Sequence, residues 1–147
     1  MRVLKLSWDR KKVDVRYAED DDEFEVISGD APAPRLVKAL EALRGSIATI
    51  CELPAKYADD LEVRGASFTY VKDVMGATIT GAKKVTTSNS PFMIHTPYLP
   101  ASVSSEAEGP KACLTERTVE ALEELQAAAL DYVNGKRAQL SLLEAEA

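Results

Sequence analysis

Hydrophobic positions alternate at the start of the chain and then change period. In Val3-Leu4-Lys5-Leu6-Ser7-Trp8 the alternation places Leu4, Leu6 and Trp8 on one face of a strand. Polar Asp9-Arg10-Lys11-Lys12 predicts a turn, and Val13, Val15 and Tyr17 repeat the pattern. After a charged loop from Glu19 to Glu23, a third strand begins with Phe24, Val26 and Ile27. The stretch from Ser28 to Pro34 ends this meander, because proline suits a helix's first turn and is excluded from its interior. Leu36, Val37, Leu40, Leu43, Ile47 and Ile50 then recur at spacings of three and four, which predicts one helix that Gly45 weakens and Pro54 closes.

A second strand group follows. Leu61 and Val63 alternate with Glu62 and Arg64, but after Gly65 the apolar parity moves to Ala66, Phe68 and Tyr70, as a one-residue bulge at the glycine would produce. Asp73 to Gly76 predicts the turn, and Ala77, Ile79 and Val85 mark the return strand. A short edge-like strand lies between Pro91 and Pro97, and residues 98–111 read as a surface loop or linker. Thr115 caps a second helix whose buried stripe is Val119, Leu122, Leu125, Ala129 and Val133, with Asn134-Gly135 as its stop. The order βββ-α-βββ-α predicts an α+β fold: an antiparallel sheet of about six strands with two helices, as a single domain over residues 1–135 and a tail over residues 136–147.

Composition narrows the class. A chain of 147 residues, 46% hydrophobic and 29% charged, is long enough to bury a real core. No apolar run approaches the ~20 residues of a membrane span, and the early charges at Arg2 and Lys5 do not suit a secretion signal, so a cytoplasmic protein is expected. Cys51 and Cys113 form no Cys-x-x-Cys pair and read as small, partly buried thiols. The net charge of −6 is uneven: both ends are acidic, whereas residues 31–105 hold eight basic against six acidic side chains. Such a chain cannot gather nucleic acid by bulk charge, so any contact needs a local basic surface or a partner that delivers it.

The residues offer no catalytic constellation. His95 is the single histidine and sits in an apolar strand, where a structural role is expected. The segment from Gly76 to Gly81 lacks the order of a phosphate-binding loop, and Lys83-Lys84 is not placed as that loop requires. The acidic run from Glu19 to Glu23 lacks calcium-loop spacing. No enzyme activity, metal or cofactor is therefore expected. Phe68 and Tyr70, with Arg64, Lys72, Lys83 and Lys84, are candidates to stack on and track single-stranded nucleic acid; the same aromatics would equally fill a core beside Leu61 and Val63, leaving Ser67, Thr69 and Thr78 on the open face.

The sharpest motif is Gln139-Leu140-Ser141-Leu142-Leu143. It resembles the pentapeptide by which bacterial DNA polymerases, mismatch-repair proteins and other replication factors hold the β sliding clamp, commonly Gln-Leu-Ser/Asp-Leu-Phe; here Leu143 stands in place of the usual phenylalanine. The resemblance covers these five residues. It implies that the Gln139 amide fills a polar pocket while Leu140, Leu142 and Leu143 enter hydrophobic clefts. Three buried leucines supply roughly 4.5–9 kcal/mol before ordering costs, so a micromolar contact near −8 kcal/mol is the upper end. Lys136 and Arg137 either meet acidic clamp surface or DNA phosphates, or simply complement a helix C-terminus. The chain as a whole also resembles small acidic proteins of phage and prophage replication or recombination clusters, through the Gly135-to-Gln139 stretch. Together these imply a non-enzymatic replication or recombination accessory protein, in a bacterial cytoplasm or in the host's if phage-encoded. Three alternatives stay open: a tail packed on the core as a helix through Leu140 and Leu143, an acidic inhibitor or anti-defence protein binding a host protein through Asp20, Asp21 and Asp22, and a single-stranded DNA-binding module.

Overall fold

Val13, Val15 and Tyr17 lie fully buried along one face of strand β2 (Val13–Glu19), as their alternation predicts. A computed structural model describes residues 1–102 and 112–146. In it β2 is flanked by β1 (Arg2–Trp8) and β3 (Asp22–Ser28), each antiparallel to it. The expected charged loop is a tight hairpin: Glu19 pairs with Asp22, and Asp20-Asp21 alone make the turn, with Asp20 at φ 58°. In β1 the expected face is corrected. The register against β2 slips between Val3 and Lys5, so Val3 and Leu6 enter the core and Leu4 is only half-buried.

The chain then crosses to helices α1 (Pro34–Glu41) and α2 (Arg44–Ile50). A single helix was expected there; the break falls at Ala42-Leu43, ahead of Gly45, where Leu43 N–H bonds Leu40 in a tighter turn. Leu36, Leu40, Leu43 and Ile47 still share one buried face across the break. A 3-10 turn over Ala55–Asp60, unannounced by the pattern, leads into β4 (Leu61–Val71), which pairs with β1 and with β5 (Val74–Lys83).

The bulge in β4 lies between Val63 and Gly65, and Leu61, Val63, Ala66 and Phe68 are buried on either side of it. Gly65 is required by the approach of β1: a Cβ there would stand 1.9 Å from the Leu6 carbonyl oxygen. The β4–β5 turn is Lys72-Asp73, at φ 51° and 63°, not Asp73 to Gly76. Gly76 is a strand residue with the Tyr98 ring over it, and Val85 falls beyond the end of β5. Both β6 (Phe92–His95) and the two-residue β7 (Leu99–Pro100) pair with β5, so the sheet runs β3-β2-β1-β4-β5-β6 with β7 beside β5. Leu99–Pro100 thus belongs to the sheet, where a loop was expected; residues 103–111 of that loop lie outside the described residues.

Helix α3 (Glu116–Glu146) completes the α+β architecture by packing with α1 and α2 on one face of the sheet, leaving Lys5, Ser67 and Thr69 on the exposed face. Its start is capped as expected, with Thr115 Oγ1 accepting the Thr118 N–H at 3.2 Å. Leu122, Leu125, Ala129 and Val133 are buried against the sheet and α1, and Thr118 meets Ser46 of α2 at 2.8 Å. Tyr70 ties the layers together: its hydroxyl donates to the Val3 carbonyl at 2.9 Å and accepts from Gln126 Nε2 at 2.6 Å. Cys51 is half-buried against the core, whereas Cys113 is exposed, contrary to expectation.

Candidate functional site

Helix α3 does not stop at Asn134-Gly135; it continues to Glu146. A glycine in an exposed helix costs only about 1 kcal/mol relative to alanine, and nothing lies within 4 Å of the space a Gly135 side chain would occupy. The glycine therefore weakens the helix without ending it. After Val133 the buried stripe ceases among the described residues, and the helix from Asn134 to Glu146 runs on as an arm about 20 Å long.

The arm carries the pentapeptide as helix. Gln139 is exposed, and Leu140, Leu142 and Leu143 are 59%, 66% and 57% exposed. Helical periodicity spreads these three leucines over an arc of roughly 160°. Neither expected tail conformation is present: the peptide is not extended, and Leu140 and Leu143 do not return to the core. Exposed leucines in this number on one short segment form an apolar surface without an intramolecular partner among the described residues.

Ion pairs hold the base of the arm. Lys136 Nζ reaches Asp30 Oδ2, Arg137 lies 3.2 Å from Glu19 Oε2, and the Tyr132 hydroxyl donates to the Asp30 carbonyl at 3.4 Å. The Lys136 ammonium holds the Asp30 carboxyl below its ordinary pKa. One turn-pair back, Arg35 of α1 grips Glu124 with two nitrogens, at 2.7 and 3.2 Å, and also reaches Asp131; this lowers the Glu124 pKa and raises that of Arg35. Lys136 and Arg137 are thus engaged with the protein's own carboxylates, and both residues sit where the helix leaves the body.

The six residues considered for nucleic acid do not share one surface. Phe68 is in the core, and Tyr70 is half-buried and occupied by its two hydrogen bonds, its pKa raised by burial. Lys72 is at the tip of the β4–β5 hairpin. Arg64, Lys83 and Lys84 do converge, lining one cleft, where Arg10 and Arg44 join them. No periodicity announces Arg10 and Arg44; the pairing of β1 with β4 and the break before α2 bring them there. His95 is exposed on β6, its Nδ1 3.0 Å from Thr80 Oγ1. Asp20, Asp21 and Asp22 are exposed at the β2–β3 hairpin.

Among the described residues no three His, Cys, Asp or Glu side chains gather as metal ligands, and no helix is long and apolar enough to cross a membrane. Compared with known proteins, the chain matches no family model, no curated protein and no solved structure.

Proposed function

We propose that the chain is a non-enzymatic accessory factor of bacterial or phage DNA replication or recombination, and that it docks on the β sliding clamp through Gln139, Leu140, Ser141, Leu142 and Leu143. The observation that supports this most is the exposure of all three motif leucines on a helical arm that has left the body. Leucines kept in water at that density cost solubility, and burial in a partner's clefts recovers it.

The helical state of the peptide is compatible with capture in an extended form. A helix of 12–15 residues without packed contacts is marginal in water, and the segment from Asn134 onward has no buried side chain among the described residues and carries a glycine at its second position. Its last turns unwind at small cost, which is the low-stability behaviour that docking segments require. Lys136 and Arg137 then act as the fixed root of the arm, and the residues beyond them as the ligand.

The test is capture of the full chain by immobilised, purified bacterial β clamp. Wild-type protein is expected to bind with micromolar affinity, and the Gln139→Ala, Leu142→Ala double variant to lose capture while its thermal unfolding is unchanged. Failure of the wild-type chain to bind clamp would overturn the proposal.

A further inference from the structure

A cleft of about 800 Å³ opens where the β1–β2 turn, the first residue of α2, the start of β4, the end of β5 and the loop after it meet. Arg10, Arg44, Arg64, Lys83 and Lys84 line it, against the carboxylates Asp59, Asp60 and Glu62. This is an excess of two positive charges in a chain whose net charge is −6. The excess is also poorly neutralised in detail. Glu62 Oε1 is shared: Arg10 Nε donates to it at 2.9 Å, and Arg64 Nε pairs with the same oxygen at 2.9 Å, so one carboxylate serves two guanidinium groups. Among the described residues Arg44 has only Glu41 as an ion-pair partner, at 4.0 Å. Arg44 Nε is shielded from water and lacks a hydrogen-bond acceptor among the described residues.

The Arg44 and Arg64 guanidinium groups line one cleft of surplus positive charge, which suits an anion rich in acceptor oxygens. A guanidinium fork matches phosphate in both charge and geometry. The volume falls within the range of small-ligand sites, roughly 300–1,000 Å³. An excess of two charges corresponds to one phosphate monoester dianion or to two successive phosphodiesters of a strand.

We infer that this cleft is a phosphate-binding site, taking the phosphates of a nucleotide or of a single nucleic-acid strand through Arg44, Arg64, Lys83 and Lys84. Glu62 is its counter-charge: it holds Arg10 and Arg64 in place when the cleft is empty and competes with the ligand for Arg64. The site shares no residue with the arm and stands or falls independently of clamp docking.

Fluorescence anisotropy at low salt, with a labelled single-stranded oligothymidylate as probe and thymidine monophosphate and inorganic phosphate as competitors, tests the site. Wild-type protein is expected to bind the strand, with affinity falling as salt rises at a log–log slope of about −1.4 for two contacted phosphates. Competition by thymidine monophosphate at concentrations where inorganic phosphate is silent assigns a nucleotide site; resistance to both, with affinity rising with strand length, assigns a strand. The Arg44→Gln, Arg64→Gln double variant is expected to bind about ten-fold more weakly with a shallower salt slope. Glu62→Gln is expected to bind several-fold more tightly, an opposite sign that loss of folding cannot mimic. Lys72→Gln, which removes one charge from the remote hairpin tip, is expected to bind as wild type. Binding by none of the three probes, an unchanged double variant, weaker binding by Glu62→Gln, or an equal loss in Lys72→Gln would each overturn the inference. Clamp capture should be unaffected by Arg44→Gln and Arg64→Gln, and strand binding by Leu142→Ala.

Discussion

Helix α3 contains two regions of the same secondary structure with opposite surroundings. From Thr118 to Val133 it buries a stripe in which Leu122, Leu125, Ala129 and Val133 are 0% exposed; from Asn134 onward Leu140, Leu142 and Leu143 are 57–66% exposed. Leucine at helical spacing therefore means core only where another surface receives it. In the first region the sheet and α1 do so, and in the second nothing among the described residues does. The contrast separates leucines that hold the fold from leucines available to a partner.

The largest expected effect lies on the packed side. Leu125→Ala should lower unfolding free energy in urea by about 2–5 kcal/mol, the cost of lost burial plus a cavity, since Leu125 is fully buried. Leu142→Ala should change it by less than about 0.5 kcal/mol, as for exposed positions generally. Equal losses at the two positions would erase the distinction. Gly65→Ala should also cost about 1–3 kcal/mol or more, because its Cβ would collide with the Leu6 carbonyl and push β1 from β4.

A smaller effect probes the junction between the regions. Gly135→Ala meets no steric obstacle and should favour the helix by about 1 kcal/mol. If the peptide must unwind to dock, the same change should weaken clamp capture up to about five-fold, measured by equilibrium binding, while the body's thermal unfolding stays nearly constant.

The smallest effect is electrostatic. Asp30 and Glu124 have folded pKa values below their ordinary ones, through Lys136 and Arg35, and Asp9 likewise through the Lys12 amide and then the Lys11 amide. Their contribution to stability is thus fully present above the unfolded carboxylate values near pH 4 and is lost as pH falls through the lower folded values. Asp14 works the other way: burial, then Glu25, raises its folded pKa, so its ionisation opposes folding as pH rises through that value. The protection of amides along the arm's base, taken relative to their intrinsic exchange rate at each pH, should fall on acidification below about pH 4, and Asp30→Asn should remove part of that dependence.

Much of the body was legible because its signals are local. Val13, Val15 and Tyr17 alternate, Gly65 marks the register change in β4, and Thr115 caps α3, all as the residue pattern predicts. The β1 slip carries no glycine to announce it, so Leu4 looked like a core residue and Val3 did not. The turn at Lys72-Asp73 was hidden because strand pairing, not turn propensity, imposes left-handed backbone on a lysine. Asn134-Gly135 resembled a stop because a C-terminal glycine and a mid-helix glycine look alike in one dimension. The basic cleft was half legible: Arg64, Lys83 and Lys84 are close in sequence across the β4–β5 hairpin, but Arg10 and Arg44 arrive only through long-range pairing and packing.

Hydrogen–deuterium exchange of the full chain, alone and with purified bacterial β clamp, reads both regions of α3 at once. Alone, residues 134–146 should exchange faster than residues 116–133, which are anchored by the buried stripe. With clamp, new protection should appear across Gln139 to Leu143 while residues 116–133 stay unchanged. Exchange in the arm as slow as in the packed region, or no protection of the pentapeptide at saturating clamp, would contradict the account.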